Sequence, residues 1–119
     1  MGRRRIDAES GIAAVRAAAG GDEARSTIAT AVRFLLEELS AIAPGKTVEV
    51  RVPPFGATQC VAGPRHTRGT PPNVIECDPQ TWIALATGAL GWEPALAAAR
   101  VTASGARADL AGLLPLIRL

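Results

Sequence analysis

Asp78-Pro79 marks the start of a helix more firmly than any other pair in the chain, and much of the rest must be arranged around the segment it opens. The Asp carboxylate can accept from the first free backbone amides, and Pro suits the first helical position because an N–H there has no intrahelical partner. Trp82, Leu85 and Ala86 then fall at three- and four-residue spacing, which makes one apolar stripe. Gly88 is the expected stop, since helices commonly end on a residue with positive φ. Leu90 and Trp92 follow, and Pro94 opens an alanine-rich helical stretch to Ala99. Val101-Thr102-Ala103-Ser104 reads as a short strand closed by Gly105. So much apolar surface on a short helix needs a second layer, supplied by the rest of the chain or by a ligand.

Upstream, Asp7–Ala19 is helix-prone, with Ile6, Ile12, Ala13 and Val15 as its anchors and Gly20-Gly21 as its end. Its thin apolar face predicts a peripheral helix within residues 1–21. Asp22 or Ser26 is the expected cap of a stronger helix. In it Ile28, Ala31, Val32, Leu35, Leu36, Leu39 and Ile42 form one stripe, while Arg33, Glu37 and Glu38 lie opposite on a solvated face. Phe34 is off the stripe and is expected to cover the first helix or the C-terminal tail rather than to stand exposed. Pro44-Gly45 breaks the helix.

Val48, Val50 and Val52 then alternate with Glu49 and Arg51, the mark of a strand buried on one face. Pro53-Pro54-Phe55-Gly56 makes a turn, Ala57–Ala62 a second strand and Asn73–Cys77 a third. Between the last two lies a loop, residues 63–72, rich in Pro, Gly and positive charge. Arg107–Leu114 is read as a last helix with Leu110, Leu113 and Leu114 on one side, and residues 115–119 as an apolar tail. The order predicts an α+β fold with two layers, a mixed four- to five-stranded sheet covered on one face by helices. At 119 residues, the chain 1–119 is expected to be a single domain.

Several chemistries find no support. A net charge of +2 is too small to imply nucleic acid, and the four aromatic residues stand away from Arg3–Arg5 and from Arg65, His66 and Arg68. An anionic surface is the more economical target for those loop arginines, and at most a transient one. No apolar run approaches a membrane span, and Arg3-Arg4-Arg5 leads into Ile6-Asp7 rather than into a secretory signal, so a soluble cytoplasmic domain is expected. His66, Cys60 and Cys77 have neither metal-ligand nor nucleophile–base spacing. Cys77 precedes a helix N-terminus, but Asp78 opposes a thiolate there, and a strand cysteine is usually a small buried hydrophobe. Glu76 is expected to serve in a structural pair with Arg51 or Arg100 rather than to anchor a ligand headgroup. No catalysis, cofactor or metal is expected.

Taken in order, Cys77-Asp78-Pro79, Trp82, Leu85, Thr87-Gly88, Leu90, Pro94-Ala95, Val101, Ser104-Gly105, Leu110 and Leu113-Leu114 resemble the C-terminal half of the sterol-carrier-protein family. The order of elements from Val48 to Leu116 is similar as well. The resemblance implies a small lipid-binding fold with an apolar tunnel between sheet and helices, here as a stand-alone bacterial member. The loop 63–72 is short compared with the corresponding region of many such proteins, where another strand is expected. Across the implied tunnel Leu35, Leu36 and Leu39 would meet Trp82, Leu85, Leu90, Trp92 and Leu96. Leu110, Leu113 and Leu114 would be a movable cover. The ligand would be a lipid, such as a fatty acyl chain, or another apolar small molecule, held non-covalently by a monomer or weak dimer. The same leucines would equally satisfy a filled core with no tunnel. The alternative role is an accessory domain partnering an enzyme, since similar domains form the C-terminal parts of some bacterial thiol-dependent isomerases and acetyltransferases.

Overall fold

The computed structural model describes residues 6–63 and 73–119. Arg3–Arg5, Arg65, His66 and Arg68, and most of the basic loop, lie outside the described residues. Helix α1 (Ala8–Ala19) begins at Asp7, whose carboxylate accepts from the Ser10 amide at 3.1 Å, and ends at Gly20. That hydrogen bond favours the ionised carboxylate and holds the Asp7 pKa below its ordinary value. The helix docks on α2 (Arg25–Ile42) through Gly11 and Val15, both buried. A Cβ at position 11 would overlap the Phe34 ring, so the glycine is what allows the close approach. Phe34 therefore covers the first helix, as its off-stripe position predicts. Ala13, expected as an anchor, is exposed instead, because Gly11 and Val15 lie four residues apart on the face that meets α2.

The start of α2 differs from expectation. Ala24 holds the N-cap position, and neither Asp22 nor Ser26 caps it directly. Asp22 acts from two residues upstream, one carboxylate oxygen accepting from the Ala24 amide at 2.8 Å and the other from the Thr27 hydroxyl at 3.0 Å. Ser26 falls inside the first turn. Along the stripe, Ile28, Ala31, Val32, Leu35, Leu36 and Leu39 are buried, but Ile42 is 50% exposed where the helix runs off the layer beneath it. Glu37 and Glu38 are half-buried rather than fully solvated, and Glu37 Oε1 accepts from the Ile6 amide at 3.3 Å.

Strand β1 (Val48–Val52) runs antiparallel to β2 (Gly56–Cys60) and parallel to β3 (Val74–Cys77), and β3 runs antiparallel to β4 (Val101–Ser104). The order β2-β1-β3-β4 is a mixed four-stranded sheet, as predicted. Alternation puts Val48, Val50, Val52, Cys60, Ile75, Cys77 and Val101 beneath the helices. Glu49, Arg51, Gln59, Glu76 and Thr102 take the other face. Glu76 is exposed rather than buried, and it stands opposite Arg51 across the β1–β3 register, where its charge favours the guanidinium. Arg51 pairs with Glu49 at 3.2 Å, two residues along the same strand, which raises the Arg51 pKa. Arg100 donates to the Thr81 hydroxyl at 2.9 Å. Buried Asn73 ties the sheet's ends, donating to the Thr47 carbonyl at 2.9 Å and accepting from the Arg107 amide at 2.8 Å.

Helix α3 (Pro79–Thr87) has the anticipated chemistry at both ends. Asp78 accepts from the Thr81 amide at 2.7 Å, and Gly88 has φ of +87°. Helix α4 (Trp92–Ala97) follows. The expected last helix, Arg107–Leu114, is absent. Only one turn forms, in which the Leu113 and Leu114 amides both point at the Leu110 carbonyl. Asp109 draws the Ala111 amide into a side-chain hydrogen bond at 2.8 Å, and Pro115 disfavours a helical Leu114, so no second turn can follow. Asp78→Ala should lower stability by about 0.5–2 kcal/mol through loss of the α3 cap, read as a lower urea midpoint at unchanged m-value.

Candidate functional site

Helix α3 carries carbonyls in its last turn that no later helical amide can reach. One of them, on Ala86, accepts from the Leu116 amide at 2.8 Å and the Ile117 amide at 3.2 Å. The C-terminal segment is thereby docked across the end of α3, with Pro115 seated on the bare Gly88. Under it lies a pocket of about 150 Å³ whose lining includes Leu85, Leu90, Trp92, Leu114 and Pro115. Leu116 and Ile117 are half-buried, while Leu119 is 54% exposed. The segment is attached by apolar contact and by two amide hydrogen bonds to one carbonyl oxygen.

A second cavity, of about 200 Å³, lies between the end of α1, the start of α2 and the outer face of α3, with Ala18, Ile28, Ile83 and Ala84 in its walls. A third space, of about 590 Å³, is a cleft between α2 and the edge strand β2. Thr30, Arg33, Leu36, Glu37 and Ser40 form its helical wall, and Phe55, Gly56, Ala57 and Thr58 its other side. Arg33 Nε donates to the Phe55 carbonyl at 2.9 Å. The guanidinium carbons of Arg25 and Arg33 lie 5.0 and 5.9 Å from the centre of the Phe55 ring, within cation–π range.

The residues expected to line one tunnel are divided by the structure. Leu85, Leu90, Trp92 and Leu114 come together in the pocket beneath the C-terminal segment, and Leu36 lines the α2–β2 cleft. Leu35, Leu39, Trp82 and Leu110 are essentially inaccessible, Leu96 and Leu113 are half-buried, and none of these lines any of the three cavities. Trp82 donates its indole N–H to the Val32 carbonyl at 3.3 Å, so its ring belongs to the α2–α3 contact. Sequence reasoning missed the cleft. Thr30, Arg33, Glu37 and Ser40 recur at three- and four-residue spacing along one flank of α2, and that polar stripe is the signal that could have found it.

Cys60 and Cys77 are buried free thiols. Burial pushes Cys60 up to about 11, and burial with the nearby Asp78 and Glu76 charges pushes Cys77 up to about 12. Such thiols are poor nucleophiles. No group of three His, Cys, Asp or Glu among the described residues could hold a metal, and no described helix is long and apolar enough to cross a membrane.

Residues 24–116 match a protein-family model described as bacterial SCP ortholog, a span that begins just before α2 and ends within the C-terminal segment. Helix α1 lies outside it. No curated protein matches the chain.

Native Cys60 and Cys77 should alkylate with iodoacetamide at pH 7.5 about a hundredfold more slowly than in urea, where both should react at the rate of ordinary thiols. Above pH 9 the unfolded thiols release protons that the folded protein keeps, so stability should fall as pH rises toward 11. The Cys60→Ala/Cys77→Ala protein should show a shallower decline in a pH series of urea midpoints.

Proposed function

The chain belongs to the bacterial sterol-carrier-protein-like family, and from that premise we propose that it binds an apolar small molecule non-covalently and without catalysis, in the pocket beneath its C-terminal segment. The observation that carries this reading is the apolar floor of Leu85, Leu90 and Trp92 under a cover held to Ala86 by two backbone bonds. A pocket of about 150 Å³ takes a ligand of benzene size. An acyl chain therefore needs the segment lifted, which extends the cavity along the exposed ends of α3 and α4.

The energetics fit such a cover. Each methylene that leaves water contributes about 0.8 kcal/mol, so a few of them offset the burial that residues 114–117 give up when the segment lifts. Chain ends held in this way open at low free energy. Catalysis would need a reactive group at the pocket, and none of its lining side chains carries one. A monomer suffices for this role, and an enzyme partner is the alternative should no ligand be taken up.

Fatty acids of increasing length and a sterol, titrated while tryptophan emission is read, test the proposal. Emission should change in the full-length protein and should stop responding in Trp92→Phe, because Trp82 is sealed in the core. Truncation before Pro115 should leave the domain folded, with a modest loss of stability, and should speed release of a fluorescent fatty acid. If emission stays constant in both full-length and truncated protein, and native mass spectrometry finds no bound lipid, the carrier reading fails and the accessory role becomes the better account.

A further inference from the structure

We propose that the α2–β2 cleft is a docking groove in which an extended, acidic segment of a partner protein adds to the sheet beside β2. The sheet order leaves β2 at an edge. The Glu49 amide donates to the Asn73 carbonyl at 2.9 Å, so Glu49 and Arg51 direct their backbone groups toward β3, and Val48, Val50 and Val52 direct theirs toward β2. The register partners of those three are Cys60, Thr58 and Gly56. Alternation then turns the N–H and C=O groups of Ala57 and Gln59 outward, where no described residue meets them. Phe55, next in the same alternation, shows what the outward groups seek, since its carbonyl is met by Arg33 Nε.

Edge strands are normally blunted by charge, proline or a covering element. Strand β2 is Gly-Ala-Thr-Gln-Cys, with no charge and no proline. Helix α2 stands beside it as the far wall of the cleft, so an added strand would lie between a sheet edge and a helix flank. Main-chain pairing would supply affinity, and the flank would select side chains.

Charge selects the occupant. Arg25 and Arg33 gather at Phe55, and neither has a carboxylate partner among the described residues. The one acid in the lining, Glu37, lies a turn further along α2 and is engaged by the Ile6 amide. The groove therefore wants an acidic side chain at its Phe55 end, where the guanidinium of Arg33 is already fixed. A second copy of this chain brings no acid on its own β2 (Gly-Ala-Thr-Gln-Cys), so it would leave the guanidiniums at Phe55 unmatched. A foreign acidic strand satisfies both the backbone and the charge.

The test uses acetylated octapeptides alternating Thr or Val with Glu, a matched Lys set, and the Glu set N-methylated at alternate residues. Fluorescence polarisation should show binding of the Glu set, weakening with added salt, and none by the other two. Hydrogen exchange should slow at the Ala57 and Gln59 amides. Ala57→Pro deletes an outward donor and keeps the bonds to β1, so it should weaken binding about tenfold, and Arg33→Gln should do the same at an unchanged melting temperature. Both variants should keep the ligand-dependent Trp92 emission, which separates this groove from the pocket. The proposal is overturned if the Glu set does not bind, if Lys peptides bind equally, or if Ala57→Pro has no effect. It is also overturned if the protein dimerises in sedimentation equilibrium and Ala57→Pro abolishes the dimer, since the occupant would then be a second copy.

Discussion

Trp82 holds the two layers of this domain in one relation to each other. Its ring is fully buried, and its indole N–H reaches the Val32 carbonyl on α2. Losing a buried Trp side chain typically costs about 3–5 kcal/mol, a large part of the roughly 5–15 kcal/mol that stabilises an ordinary domain. Leu35, Leu39, Ile75 and Leu85 are buried with it. The capped start of α3 matters because it decides where Trp82 sits. Asp78 and Pro79 set the first turn at the end of β3, and the ring three residues further on then points back toward α2.

That packing explains why cavities occur at the rim and the centre is solid. A close-packed interior has few voids, and Leu35 and Leu39 of α2 are fully buried and line none of the three cavities. At the far end of α3 the helix stops on Gly88, its Ala86 carbonyl is met by the Leu116 and Ile117 amides, and the covering chain is a single run of residues with little regular structure. The cleft on the opposite side has a similar origin, because α2 overhangs a sheet edge that no further strand completes.

Local chemistry in the sequence was enough for the elements whose signals are self-contained. The α3 cap, its glycine stop and the alternation of Val48, Val50 and Val52 each depend on residues within a few positions of one another. Failures came where a distant or competing partner decides. Arg107–Leu114 has helical spacing of leucines, but Asp109 and Pro115 divert the backbone after one turn. Trp82 and Trp92 look equivalent as apolar aromatics, yet the first is sealed by a carbonyl fifty positions away and the second lines a pocket. Periodicity reports that a residue is turned inward. It does not report whether protein or empty space meets it there.

Helix α1 explains how α2 is used on all its sides. One face of α2 is spent on the sheet and α3, and the neighbouring flank, at Phe34, is closed by α1 through the bare position at Gly11. Without α1 that ring would stand exposed, a large apolar side chain beside half-buried Glu37 and Glu38. With it in place, the flank bearing Thr30, Arg33, Glu37 and Ser40 is the side still free to form a cleft with β2. Ile6, two residues ahead of α1, lines the groove and donates its amide to Glu37, the one acid in that lining. The matched family span starts after α1. Helix α1 is thus an addition to the shared domain that closes the Phe34 flank, while Arg25 and Arg33, which make the Phe55 end of the cleft positive, lie on α2 within the matched span.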